Sequence, residues 1–247
     1  MHSPLSRSNP DKPALVDGQD QYTYSQVDLE VQRFASGILA NAEDLNEERI
    51  AFLIPASPEY VTVMHGIWRA GGIAIPLNTA SAEAELEHCL TSTSVKRLVA
   101  VAPFLERIRP LCDKLAIVLS SVAELLSDNL KPMPEVSADR RALIIFTSGT
   151  TSLPKGVVTT HKNIKAQITT LVDAWAWSEN DAIPLFLPLH HVHGIINVLS
   201  CALWAGATVH LMQKLDIEKL CVEAVKGTYN LFMAVPTIYV KLIDHLE

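Results

Sequence analysis

The stretch of the sequence best equipped for chemistry is a loop rich in hydroxyl groups that follows an apolar run. The run, Ala142 to Phe146, predicts a buried strand. The next residues supply hydroxyl groups, backbone N–H groups and one ammonium, and they are Thr147, Ser148, Gly149, Thr150, Thr151, Ser152 and Lys155. Phosphate oxygens accept hydrogen bonds and carry negative charge, so this set of donors suits a polyphosphate. The pattern therefore predicts a phosphate-binding loop.

Two other interpretations of this loop are an ordinary turn and a Walker-type P-loop. Ser, Thr, Gly and Pro also cluster in ordinary turns between apolar segments, and composition alone favours such a turn. The P-loop of Walker-type NTPases requires a glycine directly before the lysine and a helix after it. Here Gly156 follows Lys155, and an apolar strand, Val157 to Thr160, comes next. The sequence therefore excludes a Walker-type site.

The order of residues from Phe146 to Gly156 resembles the signature of the adenylate-forming enzymes. This family includes acyl-CoA synthetases, luciferases and the adenylation domains of peptide synthetases, and its pattern is (Y/F)-T-S-G-(S/T)-T-G-x-P-K-G. The one departure is Ser152, which stands where the family usually has glycine. Because glycine permits positive φ and close approach of a phosphate, we expect Ser152 to stiffen or displace the loop.

The resemblance implies a reaction and its co-substrates. Adenylate-forming enzymes couple a carboxylate to ATP, which gives an acyl-adenylate and pyrophosphate, and a thiol, usually that of coenzyme A, then displaces AMP. This chemistry depends on positioning and charge neutralisation more than on a protein nucleophile. Mg²⁺ would bridge the phosphate oxygens. The resemblance assigns the β- and γ-phosphates to Thr147, Ser148, Gly149, Thr150, Thr151 and Lys155.

A cluster of histidines follows a later apolar strand. The segment from Pro188 to Gly194 contains His190, His191 and His193, and it resembles the P-L-(F/H)-H-x-x-G segment of the same family. The resemblance implies that His191 is catalytic, lying beside the substrate carboxylate and the α-phosphate to orient the attack. The H-H-x-H spacing lacks the i, i+4 pattern of zinc-binding helices and has no carboxylate nearby, so no metal ligand is predicted.

The same segment indicates which acid would be activated. Together with Asp173 to Trp177, it resembles the malonyl-CoA synthetases more than the fatty-acid or aryl-acid ligases. A buried second carboxylate needs polar partners, and the resemblance implies that His193 faces the distal carboxylate of malonate. Val235-Pro236-Thr237 resembles a V-P-T segment near the acyl pocket of relatives, so these residues are expected to bind substrate.

Several alternatives stay open at this level. His193 could simply pack at the start of a helix. The protein could be a general acyl-CoA synthetase for another short or medium acid, or a non-catalytic nucleotide-binding remnant. Complete family members continue past the position of Glu247 with segments for adenine, ribose and a catalytic lysine. We therefore expect the 247-residue chain alone to be inactive and to act with a missing C-terminal portion of the same protein.

Apolar runs alternate with helical patterns along the chain, which predicts an α/β fold. The alternation favours layered, largely parallel doubly wound sheets with helices on both faces, as in the N-terminal domain of the adenylate-forming family. A Pro-containing stretch without periodicity, 130–140, predicts a linker between a first subdomain, 1–129, and a second, 141–247, that carries the phosphate loop. Ser57 and Pro58 predict the start of one helix.

Three local predictions concern caps, core and strands. Ser25 is expected to cap a helix, with Asp28 as its capping partner. Trp175 and Trp177 are expected to pack in the core rather than to contact a ligand. The segment 231–235 is expected to form a strand.

Composition and charge narrow the range of partners. The chain has a net charge of −7 and is 49% hydrophobic, which is enough for a sizeable core. It carries neither a basic patch for nucleic acid nor an uninterrupted apolar span for a membrane. The four cysteines stand far apart, which is typical of reduced thiols, so the expected location is the cytoplasm or an organelle matrix. The predicted partners are a small carboxylic acid, ATP and CoA.

Overall fold

The computed structural model describes residue 5 and residues 9–147 and 153–246. The strands are β1 (Pro13–Asp17), β2 (Asp20–Thr23), β3 (Arg49–Leu53), β4 (Ile73–Pro76), β5 (Arg97–Ala100), β6 (Val118–Ser121), β7 (Arg141–Thr147), β8 (Lys155–Thr160), β9 (Ala182–Leu185) and β10 (Thr208–Leu211). The helices are α1 (Tyr24–Leu39), α2 (Pro58–Arg69), α3 (Glu83–Ser92), α4 (Ala102–Leu115), α5 (Val122–Leu125), α6 (His161–Ala174), α7 (Cys201–Ala205), α8 (Ile217–Val225) and α9 (Pro236–Leu246). A π-helical segment, His193–Ser200, runs directly into α7.

Two largely parallel sheets hold these strands. The larger sheet has the order β6-β5-β3-β4-β7-β8, with β8 antiparallel to β7, and the smaller has the order β2-β1-β10-β9, with β2 antiparallel to β1. The other neighbouring pairs in the described part of the chain run parallel. The predicted α/β fold with layered sheets is confirmed.

Helices cover both faces of the larger sheet because its central strands are apolar on both faces. In β3, Ile50 and Phe52 belong to a core that includes residues of α1 and α2. Ala51 and Leu53 belong to a second core with residues of α3 and α4. Successive side chains of a strand point to opposite faces, so one continuous apolar run supplies both cores. All four side chains are fully buried.

Helix α1 begins at a different cap from the predicted one. Thr23 is the N-cap: its hydroxyl accepts a hydrogen bond from the Gln26 N–H at 3.2 Å, and the Gln26 side chain accepts one from the Thr23 N–H at 2.8 Å. The extended backbone of Thr23, at the end of β2, allows this capping box, whereas Ser25 already lies inside the helix. The prediction of Ser25 and Asp28 is therefore wrong. The Asp28 carboxylate instead pairs with Arg69 of α2.

Two other local predictions are wrong, one in part and one entirely. Trp177 is buried, at 7% exposure, but Trp175 at the end of α6 is 43% exposed and is not a core residue. The segment 231–235 forms no strand. Its first N–H, that of Leu231, donates to the Ala182 carbonyl at 3.3 Å, so the segment meets β9 at one point and builds no ladder along it.

The sheets draw strands from both sides of the predicted linker. Ala74 in β4 pairs with Leu143 in β7, which joins the chain after residue 140 to the larger sheet. Arg140, at the end of the linker, donates to the Asp44 carboxylate at 2.7 Å and to the Gly71 carbonyl at 2.5 Å. In the smaller sheet, β1 pairs with β10. The division into two subdomains stays a prediction, while the sheet topology interleaves the two halves of the chain.

Candidate functional site

A small cavity lies where strands β4 and β7 end. Its volume is about 160 Å³. Its lining residues come from the end of β4, helix α3, both ends of the signature loop and the loop after β9, and they include Asn78, Ser81, Glu85, Phe146, Thr147, Pro154, His190 and His191. Ligands commonly bind at the carboxyl ends of parallel strands because loop residues meet there. The cavity thus brings together Thr147 and His191, which belong to separate motifs in the sequence.

Strand β7 places Thr147 at this cavity. The residues from Ala142 to Ile145 are buried, and exposure increases through Phe146 to Thr147. Antiparallel pairing with β8 sets Thr147 opposite Lys155, and the Thr147 hydroxyl donates to the Lys155 carbonyl at 3.4 Å. The polar end of the strand is therefore held in place by its apolar part. Ser148, Gly149, Thr150 and Thr151 lie outside the described residues, so their part in phosphate binding stays a prediction.

Lys155 lines a neighbouring groove and not the cavity itself. The groove has a volume of about 450 Å³ and is also lined by Arg49, His88 and Arg141. Pro154 forms part of both the groove and the cavity. The lysine predicted to bind phosphate thus follows directly on a residue of the cavity wall, and its role stays a prediction.

Tyr60 of helix α2 anchors the loop that carries His190 and His191. Its hydroxyl donates to the Leu189 carbonyl at 2.7 Å, directly before His190. The Tyr60 ring packs edge-on against Phe52 of β3, with ring centroids 5.1 Å apart. Complete burial raises the pKa of Tyr60 well above its usual value, so the hydroxyl stays protonated and keeps donating. The loop that carries His191 is therefore anchored to the larger sheet and its helices.

Gly194 closes the turn that follows the histidines. The His191 N–H donates to the Pro188 carbonyl at 3.3 Å, and the Ile195 N–H donates to the His191 carbonyl at 3.1 Å. A Cβ atom on Gly194 would lie 2.6 Å from the Pro188 carbonyl oxygen. Because carbon and oxygen do not approach so closely without a shift of the backbone, this turn requires glycine.

His190 and His191 sit in different environments although they are neighbours. Their ring centroids are 4.2 Å apart, and His190 is half-buried while His191 is exposed. Burial is the main cause that lowers the pKa of His190 to about 4, with a smaller contribution from His191 and an opposing one from Glu85. His190 is therefore neutral near pH 7, with one ring nitrogen that donates and one that accepts. The pair can orient an oxygen atom in the cavity through hydrogen bonds.

The remaining predicted substrate residues do not line this cavity. His193 is the first residue of the π-helical segment and is half-buried. Val235, Pro236 and Thr237 are exposed where α9 begins. Their contact with substrate stays a prediction. π-Helical turns occur often at functional sites. A π-helical segment starts at His193, although the His193 side chain does not line the cavity.

Sequence reasoning missed Tyr60 and the polar residues of the β4–α3 side of the cavity. Asn78 and Ser81 follow the end of β4, and Glu85 lies in the first turns of α3. Their position after a buried parallel strand was the available signal. Tyr60 gave none, because a hydroxyl that reaches a carbonyl in a distant loop leaves no trace in local spacing.

Two kinds of feature are missing from residues 9–147 and 153–246. No group of three or more His, Cys, Asp or Glu side chains is arranged to hold a metal ion. Among the helices of this described part, none has both the length and the apolar character needed to cross a membrane.

The arrangement of the sheets and helices is that of the N-terminal part of an adenylate-forming enzyme. A family model described as "AMP-binding enzyme" matches residues 5–247. The chain belongs to this family.

Individual relatives agree with this membership. The chain is 36% identical over 251 residues to the mitochondrial malonate–CoA ligase ACSF3 of Homo sapiens, an alignment that covers 96% of this chain and 44% of the relative. It is 31% identical to the malonate–CoA ligase of Arabidopsis thaliana, with coverage of 82% and 37%. Apo MatB from Rhodopseudomonas palustris superposes with a TM-score of 0.87 at 25% identity, with coverage of 98% and 50%. The chain thus spans less than half the length of the two malonate–CoA ligases and half of the MatB chain.

Proposed function

We propose that the complete protein containing this chain is an ATP-dependent acid–CoA ligase that activates malonate through an acyl-adenylate. The observation that carries the proposal is the meeting of Thr147, from the signature strand, with His191 at one cavity. Membership of the AMP-binding family supports the reaction class. The malonate–CoA ligases among the relatives support the choice of acid.

The first step would form a mixed anhydride. A carboxylate oxygen of malonate attacks the α-phosphorus of ATP, the bond from that phosphorus to the bridging oxygen breaks, and pyrophosphate leaves. His191 would orient the carboxylate. The β- and γ-phosphates would be held by Thr147, Ser148, Gly149, Thr150, Thr151 and Lys155, because these residues supply donors and one positive charge. Mg²⁺ on the phosphate oxygens would offset part of their charge.

The second step would transfer the acyl group to coenzyme A. The thiolate attacks the acyl carbon, the carbon–oxygen bond to AMP breaks, and AMP leaves; the thiol proton passes to solvent. His190, which lines the same cavity as His191, would contribute hydrogen bonds from a neutral ring. Both steps thus require positioned donors and no protein nucleophile.

The role of Lys155 can be tested on ATP use. Replacement of its ammonium in Lys155→Ala should lower kcat/KM for ATP about 10- to 150-fold, since a charge-assisted hydrogen bond contributes about 1.5–3 kcal/mol. Pyrophosphate release by the complete protein is the measurement. Lys165→Ala, on the exposed face of α6, is the matched control and should keep wild-type values. An unchanged kcat/KM in Lys155→Ala would remove Lys155 from the nucleotide site.

Competition between acids tests the substrate. Malonate should be preferred over acetate, butyrate and octanoate, and His193→Phe should erode that preference while ATP binding stays intact. A preference for octanoate would favour the alternative of a general acyl-CoA synthetase. Binding of ATP without any acid-dependent pyrophosphate release would favour a non-catalytic nucleotide-binding protein.

A location inside mitochondria is proposed beside the cytoplasmic one expected from composition. The first relatives carry the word mitochondrial in their names. A fluorescent fusion of the complete protein, imaged with a matrix marker, distinguishes the two, and a diffuse cytoplasmic signal would argue against the mitochondrial location.

A further inference from the structure

Helix α3 contacts the signature loop at the point where the loop becomes strand β8. The His88 Nε2 atom lies 2.8 Å from the Pro154 carbonyl oxygen. The same imidazole packs edge-on against Phe146, with ring centroids 6.4 Å apart and an interplanar angle of 67°. Phe146 precedes the loop and Pro154 ends it, so one side chain contacts both ends of the loop.

The chemistry of the contact fixes which nitrogen carries the proton. A carbonyl oxygen only accepts hydrogen bonds, so His88 Nε2 must be the donor. The Pro154 carbonyl belongs to the same peptide unit as the Lys155 N–H, and peptide units are planar. The bond from His88 therefore fixes the orientation of the backbone that leads into Lys155.

The topology explains why this contact matters. Within the described residues, strand β8 is at the edge of the larger sheet and pairs with β7. Its Val157 and Val158 are 48% and 49% exposed to solvent in the described part of the chain. Proline has no N–H, so Pro154 cannot donate to a neighbouring strand. From outside the β7–β8 pair, His88 supplies a hydrogen bond at this corner.

We propose that His88 is a positioning residue for the nucleotide site, which holds Pro154 and thereby Lys155 in the orientation needed to meet the phosphates of ATP. The inference rests on the proposed function, since it assigns Lys155 to ATP. His88 acts through the backbone and does not itself touch the reacting atoms. Its loss should therefore raise KM for ATP more than it changes KM for the acid.

The test compares two replacements that suit a helix equally well. His88→Gln keeps an N–H donor at nearly the same reach, whereas His88→Leu keeps apolar packing against Phe146 but removes the donor. In His88→Leu, amide hydrogen exchange of the peptide 153–160 should become about 3- to 10-fold faster, and the Kd for MgATP should rise by a similar factor, the range expected for one hydrogen bond. His88→Gln should restore both to within about twofold. Thr91→Ala removes a hydroxyl that, among the described residues, donates to carbonyl groups of α3; it is the control and should change neither.

Two results would overturn the inference. One is unchanged exchange of the peptide 153–160 in His88→Leu, and the other is a wild-type His88 whose nitrogen NMR shifts show the Nδ1–H tautomer. The exchange measurement needs no ATP, so it decides the role of His88 even if wild-type protein fails to bind MgATP, a result that would defeat the proposed function instead. The NMR measurement uses wild-type protein and decides the question even if His88→Leu does not fold.

Discussion

Helices α2 and α9 have similar apolar patterns but opposite degrees of burial. Helix α2 packs against the larger sheet, and residues from Tyr60 to Ile67 are buried. Helix α9 has no buried residue at all, and Val240 and Ile243 are each 56% exposed. The preceding α8 buries only Leu220 and leaves Val225 90% exposed. An amphipathic pattern therefore predicts that a helix exists, but its burial depends on which surfaces the rest of the fold brings to it.

The largest expected loss of stability comes from a substitution in the buried core beside α2. Phe52→Ala should lower the free energy of unfolding by about 3–5 kcal/mol, because it removes a fully buried ring and leaves a cavity against Tyr60. Ile243→Ala on α9 is the matched control and should change stability by no more than about 0.5 kcal/mol. Urea unfolding at one pH measures both. Comparable losses in the two variants would mean that α9 is covered in solution.

Acid should also lower the free energy of unfolding, through the buried His65 of α2. Burial is the main cause that lowers the pKa of His65 to about 3, with a smaller contribution from Arg69, and no described group bonds its Nε2. The unfolded chain has the ordinary value of 6.5, so below pH 6.5 it binds a proton that the folded chain refuses, and stability falls as pH falls from 6.5 toward 3. At pH 5 this group lowers the free energy of unfolding by about 2 kcal/mol.

Urea unfolding at pH 7.5 and pH 5 isolates this contribution. His161, His190 and His210 also have lowered pKa values and add to the same window, so the comparison must be made with a variant. His65→Phe should reduce the loss of stability between the two pH values by about 2 kcal/mol. Ile243→Ala, on exposed α9, removes no titratable group and should leave that loss unchanged. If His65→Phe shows the same loss as wild type, His65 is not held neutral by burial.

A smaller effect is expected at the turn beside the cavity. Gly194→Ala places a methyl group 2.6 Å from the Pro188 carbonyl oxygen, so the turn must shift, at about 1–3 kcal/mol of unfolding free energy. Because the turn includes His191, acid-dependent pyrophosphate release should fall as well. Gly227→Ala, near α8, is the control for alanine at a glycine with no atom within 4 Å, although its positive φ adds some strain. A tolerated Gly194→Ala with full activity would show that the turn adapts.

Sequence predicted the parts of the fold whose signals are local. Strand β7 was recognisable because its apolar run ends in polar residues, and Ser57 caps α2 as its position before Pro58 predicts. Thr23 was missed because Ser25 offers a similar cap two residues later. The division at 130–140 took account of the linker but not of the pairing of β4 with β7, which joins residues far apart in sequence.

The candidate site could likewise be predicted only in part. The signature around Thr147 and Lys155 was predicted from residue types, and the place of His191 only from a family resemblance. No spacing rule indicates that Thr147 and His191 share a cavity. Thr147 ends β7 of the larger sheet, whereas His191 lies in the loop after β9 of the smaller sheet, so the two meet only through tertiary packing. The anchor from Tyr60 to Leu189 is likewise a contact between distant segments. Residue types thus lead to a prediction of chemistry, whereas the assembly of the site depends on topology.

The smallest expected loss of stability concerns the hydrogen bond from Tyr60 to the Leu189 carbonyl. Tyr60→Phe removes one hydroxyl from the buried helix α2 and leaves its packing against Phe52 in place. The Leu189 carbonyl then loses a partner, and the free energy of unfolding should fall by about 1 kcal/mol, the usual net value of a hydrogen bond. Tyr239→Phe on exposed α9 is the matched control and should have no measurable effect on stability. Because the lost bond holds the loop before His190 and His191, Tyr60→Phe should also lower kcat for acid activation while KM for ATP stays near the wild-type value. A rise in KM for ATP with unchanged kcat would place the influence of Tyr60 on the signature loop and not on the histidines.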